Sequence, residues 1–518
     1  MAHLTSTPTT TAGPPRTTPS RHVRVTSRHL RRGWVAAIGL AALWGAAAGL
    51  LTPRSPQTTA AALASIVVSL AVGLAGGLLT RSRWAMLVAP VVFAVAFEVA
   101  RVPLDGPTVD APHLSTYGVF AFMVGRGFHA LLSLLPMTLG AAWGAFAATR
   151  RGGHLDAGRV RSVLRWTALA ASAGMVIGIT LLVARPASTA PITGADGQPV
   201  QGSIAELTSI DVNGHELGLM IRGHDTDNPV LLYLAGGPGG SELGAMRNHL
   251  AALEENFTVA TLDQRGTGSS YPALDPADTY TLESAIDDTV ATTNYLRERF
   301  TTERVVLVGQ SWGTILGVLT VRQEPGLYSA FVGVGQMVSP VETDRIFYTD
   351  TLAWARGHGE SGLVTELQEI GPPPYTSMLD YETTLSFEQE VYPYDHSGNS
   401  EGAGGFSENF FVPEYTLVDQ AHMLASFMDT FGTLYPRIQD VDLRQDAPTL
   451  DVPAFFVQGA HEAPGRSEPF AQWYDQLTAP TKEMVVFDRS GHRPLFEQTD
   501  EFVEFMNTHV QPVIQSLQ

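Results

Sequence analysis

Between an apolar run, Arg304-Val305-Val306-Leu307-Val308, and a helix-compatible stretch over 314–322 stands Gly309-Gln310-Ser311-Trp312-Gly313. A serine between two glycines, where a buried strand turns into a helix, fits the sharp bend that holds a hydroxyl out as a nucleophile. Glycine is needed on both sides because a Cβ there would collide with the neighbouring strand and helix. The hydroxyl needs an imidazole to take its proton and an acid to orient the ring, and these can follow in the chain order Ser, acid, His. Two late apolar runs supply them, one followed by Gln458-Gly459-Ala460-His461-Glu462 and the other by Ser490-Gly491-His492-Arg493-Pro494. Glu462 is therefore assigned as the orienting acid and His492 as the base, with Asp451 and Asp488 as further acids near the same strand ends.

A tetrahedral intermediate also needs N–H donors for its oxyanion. The segment Leu234-Ala235-Gly236-Gly237-Pro238-Gly239-Gly240 lets backbone approach a substrate oxygen, so the N–H groups of Gly237 and Trp312 are the expected pair. A phosphate-cradling loop is excluded because no Gly-Lys-Ser/Thr follows.

These segments need a scaffold that brings them to one edge. An opening hairpin is expected from strands over 209–212 and 217–222 joined at Asn213-Gly214. Apolar strands follow over 230–234, 259–262, 305–308, 330–334, 454–457 and 484–487. Continuous apolar runs alternating with helical segments predict a mostly parallel eight-stranded sheet covered on both faces, an α/β fold with loops of one edge carrying the site. The alternation lapses between Val334 and Ala454, which predicts a helical cap inserted over 336–450 between core segments 186–335 and 451–518. From Met337 to Thr449 that insertion holds 19 acidic and 4 basic residues.

Charge divides the 518-residue chain into two environments. Up to Arg185 there are 17 arginines and 4 acidic residues; beyond it there are 15 basic and 47 acidic residues. The first part carries apolar stretches over 33–51, 58–79, 84–100, 127–148 and 166–184, each near the ~20 residues a helix needs to cross a bilayer. Pro90, Glu98, Arg101 and Arg126 interrupt or border the third and fourth. Residues 33–185 thus read as an all-α membrane domain of about five spans, preceded by a basic, disordered tail over 1–32. Arginines crowd the tail, the loop after the second span and the loop after the fourth, which predicts a cytoplasmic N-terminus and, after five crossings, an extracytoplasmic second half. The chain has no cysteine, which excludes a thiol nucleophile and thiolate metal sites.

Three segments together resemble the proline iminopeptidase family of α/β-hydrolases, with its tripeptidyl aminopeptidase relatives. They are Gly236-Gly237-Pro238-Gly239, Asp263-Gln264-Arg265-Gly266-Thr267-Gly268-Ser269 and Gly309-Gln310-Ser311-Trp312-Gly313, and the second is the most specific. The resemblance implies Ser311 as nucleophile, His492 as base, Glu462 as acid and Gly237 with Trp312 as oxyanion hole. It departs from the family at Ala235, where His is usual, and at Glu462, where Asp is usual. The cap shows no tryptophan-and-glutamate pattern for a free amino terminus, so specificity for N-terminal proline is not implied.

An exopeptidase must still fix a substrate ammonium, and Glu342, Asp344 and Asp350 are the candidate carboxylates, with Trp354 as a wall. Asp263 and Arg265 are expected to brace loops rather than to touch substrate. His461-Glu462 lacks a second His at helical spacing, so no metal is expected, and no cofactor either. The negative second half speaks against nucleic acid. The expected function is a membrane-anchored serine hydrolase acting on short peptides, the alternatives being an esterase or amidase on small molecules or lipids, or a receptor with an inactive hydrolase-like domain.

Overall fold

The computed structural model describes residues 21–151, 159–399 and 409–517. Residues 1–20 of the expected tail lie outside the described residues, and residues 21–32 open a long helix, α1 (Arg21–Leu51), instead of belonging to a tail. Four more helices follow: α2 (Thr59–Thr80), α3 (Ala85–Arg101), α4 (Thr116–Arg151) and α5 (Arg159–Val183). Thr58 starts α2 by accepting the Ala61 N–H, satisfying an amide that the first turn leaves without an intrahelical partner.

Among the described residues four helices are long and apolar enough to cross a membrane, within Leu30–Leu51, Thr59–Thr80, Thr116–Thr149 and Val163–Val183. The expected third span is α3, whose 17 residues cover about 26 Å, short of that length. It nevertheless lies beside α1 and runs the same way, since Gly45 meets Phe93 and Gly49 meets Phe97. The fourth helix begins at Thr116, well before the expected 127, because Arg126 is accommodated within it. Arg126 donates to Glu98 at 3.2 Å and to the carbonyls of Thr108 at 3.0 Å and Asp110 at 2.9 Å.

Small residues set the helix contacts by letting the backbones approach closely. Gly73 and Gly77 of α2 press on the backbone of Met137 and Ala141 in α4, while Gly140 and Gly144 return the contact to Leu70 and Leu74.

The second half forms an eight-stranded sheet of order β1-β2-β4-β3-β5-β6-β7-β8. The strands are β1 (Ile204–Val212), β2 (His215–Gly223), β3 (Val230–Leu234), β4 (Thr258–Leu262), β5 (Val305–Gln310), β6 (Tyr328–Val334), β7 (Ala454–Gly459) and β8 (Lys482–Phe487). β1 and β2 pair antiparallel across the Asn213-Gly214 turn, where both residues have positive φ, and β3 to β8 run parallel. Alternate side chains of the central strands feed two cores. Leu232 and Leu307 pack with Ile315, Leu296 and Trp473 on one face; Tyr233 and Val308 pack with Met246, Phe496 and Val510 on the other.

Helices α6 (Leu243–His249), α7 (Leu282–Phe300) and α8 (Trp312–Gln323) link the first strands. Between β6 and β7 the insertion is helical as expected: α9 (Pro340–His358), α10 (Ser361–Ile370), α11 (Met378–Ser386), α12 (Glu388–Val391), α13 (Leu417–Leu434) and α14 (Leu443–Asp446). After β7 comes α15 (Pro464–Gln476). The loops between α1 and α2 and between α3 and α4, and the segment after α5, all touch this second half. Arg54 pairs with Asp275 at 3.2 Å, Thr108 N donates to Asp429 at 3.0 Å, and Ser188 N donates to Pro413 O at 2.8 Å.

The glycine contacts generate a test. Gly77→Leu drives a side chain into the α4 backbone, at a cost of about 1–3 kcal/mol, and should lower the melting temperature of the detergent-solubilised protein by a few degrees. Gly39→Leu, where a Cβ meets nothing within 4 Å, should leave it unchanged.

Candidate active site

Ser311 sits between β5 and α8 with φ 54° and ψ −119°, a left-handed conformation that a non-glycine residue adopts only when its surroundings impose it. The imposing contacts are visible. A Cβ on Gly309 would occupy the Gly313 carbonyl, and one on Gly313 would occupy the Leu234 carbonyl of β3, so strand and helix meet backbone to backbone. Ser311 N donates to Val334 O at 3.0 Å, fastening the bend to β6.

Loops from β7 and β8 bring the partners. His492 Nε2 lies 2.8 Å from Ser311 Oγ, and His492 Nδ1 lies 2.6 Å from Glu462 Oε2. The other oxygen of Glu462 accepts the Ala463 N–H at 2.9 Å and Arg466 Nε at 2.7 Å. Burial pushes this carboxyl up, but Arg466 and His492 outweigh burial and hold it at about 2. A series of this kind can carry a proton from an alcohol to an imidazole while a fixed anion stabilises the resulting cation.

The glycine loop faces the serine. Gly236, Gly237 and Gly240 line a cavity of about 240 Å³ together with Ser311 and His492. Trp312 is the first residue of α8, where backbone N–H groups lack intrahelical acceptors and favour negative charge. Gln264 ties these parts together by donating to Ala235 O at 2.9 Å and accepting from Trp312 Nε1 at 3.0 Å. Ala235, the departure from the family pattern, is buried in the sheet-side core and leaves the glycine loop on the cavity wall.

The cap walls the cavity with Phe347, Tyr381, Leu385, Phe427, Phe431 and Tyr435. Of the three expected ammonium ligands, only Asp344 lines it. Glu342 is drawn into an ion pair with Arg444, and Asp350 accepts Tyr392 OH at 2.6 Å; neither lines the cavity. Trp354 is not a wall either, since it stacks on His358 away from the site. A helix presents only every third or fourth residue to one side, and on α9 the side toward the cavity carries Thr343, Asp344 and Phe347. Asp344 Oδ1 accepts Tyr435 OH at 2.9 Å, while Oδ2 is buried without a well-formed hydrogen bond. Burial pushes Asp344 up to about 7.

Glu242, Glu388, Arg466 and Arg493 also line the cavity, and sequence reasoning passed over them. Arg466 left one signal, lying four residues after Glu462 at the start of a Pro-led helix; it also pairs with Glu388 of the cap. Asp263 and Arg265 do brace loops, though with different partners. Asp263 accepts Ser269 N at 2.9 Å and Tyr415 OH at 2.8 Å; Arg265 grips Asp288 through two bonds of 2.8 Å. Among the described residues no group of three or more His, Asp or Glu is arranged to hold a metal ion.

Two pH effects of opposite sign follow. The folded value of Glu462 lies below the ordinary 4.5, so its stabilising contribution is complete above pH 4.5 and is lost as pH falls toward 2. Glu462→Gln should therefore flatten the decline in melting temperature over that window; an equally steep decline refutes it. Asp344 binds its proton more tightly when folded, so stability falls as pH rises from 3.8 toward 7. Asp344→Asn should melt higher than wild type at pH 8 and close to it at pH 4, and equal melting at pH 8 refutes that assignment.

The sequence has relatives of known name. A family profile described as the alpha/beta hydrolase fold matches residues 229–357. A probable aminopeptidase of Bacillus subtilis, YbaC, is 27% identical over 314 residues, covering 60% of this chain and 98% of the relative. A proline iminopeptidase of Lactobacillus crispatus is 31% identical over 304 residues, covering 57% of this chain and 94% of the relative. Among solved structures, the proline iminopeptidase of Mycobacterium smegmatis aligns with 20% identity and a TM-score of 0.42, over 60% of this chain and all of that one. With an α/β-hydrolase sheet, an elbow serine on its fifth strand and a 31% identical relative matched over nearly its whole length, the chain belongs to the proline iminopeptidase family of α/β hydrolases.

Proposed function

We propose that this chain is a membrane-anchored serine peptidase that releases N-terminal residues from short peptides through Ser311, His492 and Glu462. The observation that carries the reading is the unbroken hydrogen-bonded series from Ser311 Oγ through the His492 ring to Glu462, opening on a single cavity beneath the cap. Ser311 Oγ attacks the scissile carbonyl carbon as His492 Nε2 takes its proton, and Glu462 stabilises the imidazolium. The N–H groups of Gly237 and Trp312 receive the oxyanion. His492 returns the proton to the leaving amine, an acyl-enzyme remains on Ser311, and water activated by the same imidazole releases the acid.

Peptide substrates are supported by the aminopeptidase and proline iminopeptidase relatives. Asp344 suits the free amino terminus, because a substrate ammonium would supply the cation that this carboxyl lacks at hydrogen-bonding distance and draw its proton away. A second reading, an esterase or amidase for small apolar acyl compounds, is favoured by the aromatic walls of the cavity.

The first half is proposed to be embedded in the bilayer. Four helices have the length and apolarity, and α3 spans nearly the same layer beside α1. Counting α3 gives five crossings, and the arginine-rich loops put the N-terminus in the cytoplasm and the catalytic half outside.

A fluorophosphonate probe should label the full-length protein and fail on Ser311→Ala. Aminoacyl-naphthylamides should be hydrolysed, with activity lost when the amine is acetylated. Absence of labelling on the folded wild type rejects catalysis in favour of a binding role; labelling with turnover of p-nitrophenyl esters alone selects the esterase reading.

A further inference from the structure

Two of the cap helices that wall the cavity, α11 and α13, are held from behind by the membrane region. On α13, Phe427 and Phe431 face the cavity, whereas Asp429, about 200° round the helix from Phe427 at 100° per residue, is wholly buried on the other side. Its carboxylate accepts Thr108 N at 3.0 Å, Thr108 Oγ1 at 2.5 Å and Tyr271 OH at 2.6 Å, and pairs with Arg54 at 2.8 Å. Seven residues earlier on the same face, His422 Nε2 bonds Pro56 O at 2.8 Å. On α11, which contributes Tyr381, Thr384 and Leu385 to the cavity, Glu382 accepts Ser115 Oγ and Tyr117 N, each at 2.9 Å. Arg54 and Pro56 belong to the loop between α1 and α2; Thr108 and Ser115 belong to the connection into α4, and Tyr117 to the first turn of α4.

Arg54 is built into this joint. It is buried, also donates to Asp275 at 3.2 Å and to Asp105 O at 3.1 Å, and passes where Gly106, at φ 137°, has no side chain to obstruct it. Removing the guanidinium leaves a buried carboxylate without its cation, a strongly unfavourable change unless the helix shifts to relieve it. The helix that shifts carries the aromatic wall.

We propose that the membrane region is a working part of the active site, with Arg54 and Ser115 as positioning residues that set the cap wall through Asp429 and Glu382. The inference rests on the catalytic reading above. The nucleophile is fixed independently by β5, β6 and β8, so the two sides of the cavity separate experimentally. Recognition of the substrate's N-terminal portion depends on the membrane region; the reactivity of Ser311 does not.

The test uses the full-length protein in detergent or nanodiscs, comparing wild type, Arg54→Ala, Arg54→Lys and Glu382→Gln. Two readouts are taken, the rate of fluorophosphonate labelling and the separate kcat and KM on an aminoacyl-naphthylamide. Arg54→Ala and Glu382→Gln should each raise KM by about tenfold with kcat and labelling within about twofold, and Arg54→Lys should recover part of the loss. Unchanged KM in both variants with normal labelling overturns the positioning role while leaving the catalytic reading intact. Labelling and turnover falling in step also overturn it, since that marks a general loss of fold. A wild type that does not label overturns the catalytic reading and this inference with it.

Discussion

The structure turns on one backbone constraint, the left-handed bend at Ser311 pressed between two glycines. A residue at φ 54° costs of order 1–3 kcal/mol and persists only where its neighbours leave no alternative. Here the neighbours are a strand buried along its whole length and a helix whose first turn touches the strand beside it. Because Gly313 can lie on the Leu234 carbonyl, α8 begins close enough to β3 for the glycine loop and the serine to share one cavity. Gln264 closes the arrangement from β4, holding the glycine loop with its amide nitrogen and the indole after the serine with its oxygen. Three loops are thereby fixed relative to one hydroxyl before any substrate contact is made.

Electrostatics then decide which groups are charged. The Glu462 side chain is only 2% exposed, and a lone carboxylate there would take up a proton. Arg466 and the Ala463 amide hold one oxygen, leaving the other to His492. Arg466 also reaches Glu388 in the cap, so the acid of the series is connected to the wall that a substrate would meet. Asp344, without a cation of its own at hydrogen-bonding distance, moves the opposite way. Two buried carboxyls near one cavity thus have opposite preferences, set by whether an arginine was placed against them.

What could be read from the sequence was what depends on neighbours in the chain. Apolar runs located the six strands β3 to β8 and the Asn213-Gly214 turn located β1 and β2; β3 to β7 are buried nearly throughout, and a strand buried on both faces needs no periodic pattern. The elbow, the glycine loop and the two loops bearing Glu462 and His492 were legible because glycines and strand ends mark them. The cap was legible only as a lapse in alternation. Which of its acids face inward depends on how α9 rolls against α15, information that no local stretch of sequence contains, and so Glu342 and Asp350 were misplaced while Glu388 was passed over. The helix edges near Arg126 were misjudged for a related reason. A charge reads as the end of a span unless its partners are known, and those partners, Glu98 and three carbonyls of the preceding connection, come together only in three dimensions.

The joint between the halves follows a different logic from either core. Arg54 and Asp429 are both stripped of water, and the attraction between buried ions is largely consumed by the cost of drying them. Such a pair adds little to the stability of the docked state, and apolar residues of equal volume would hold the surfaces together as well. What it does add is discrimination. A displaced α13 would leave a buried carboxylate facing no cation, together with two N–H and O–H donors from Thr108 facing no acceptor, and each unsatisfied group costs about 1–3 kcal/mol. Sliding along an apolar face is cheap by comparison, because one packed arrangement resembles the next. A cap whose inner face must present a fixed set of aromatic rings to a small cavity needs the second kind of restraint more than the first, and the charged, hydrogen-bonded side of α13 provides it.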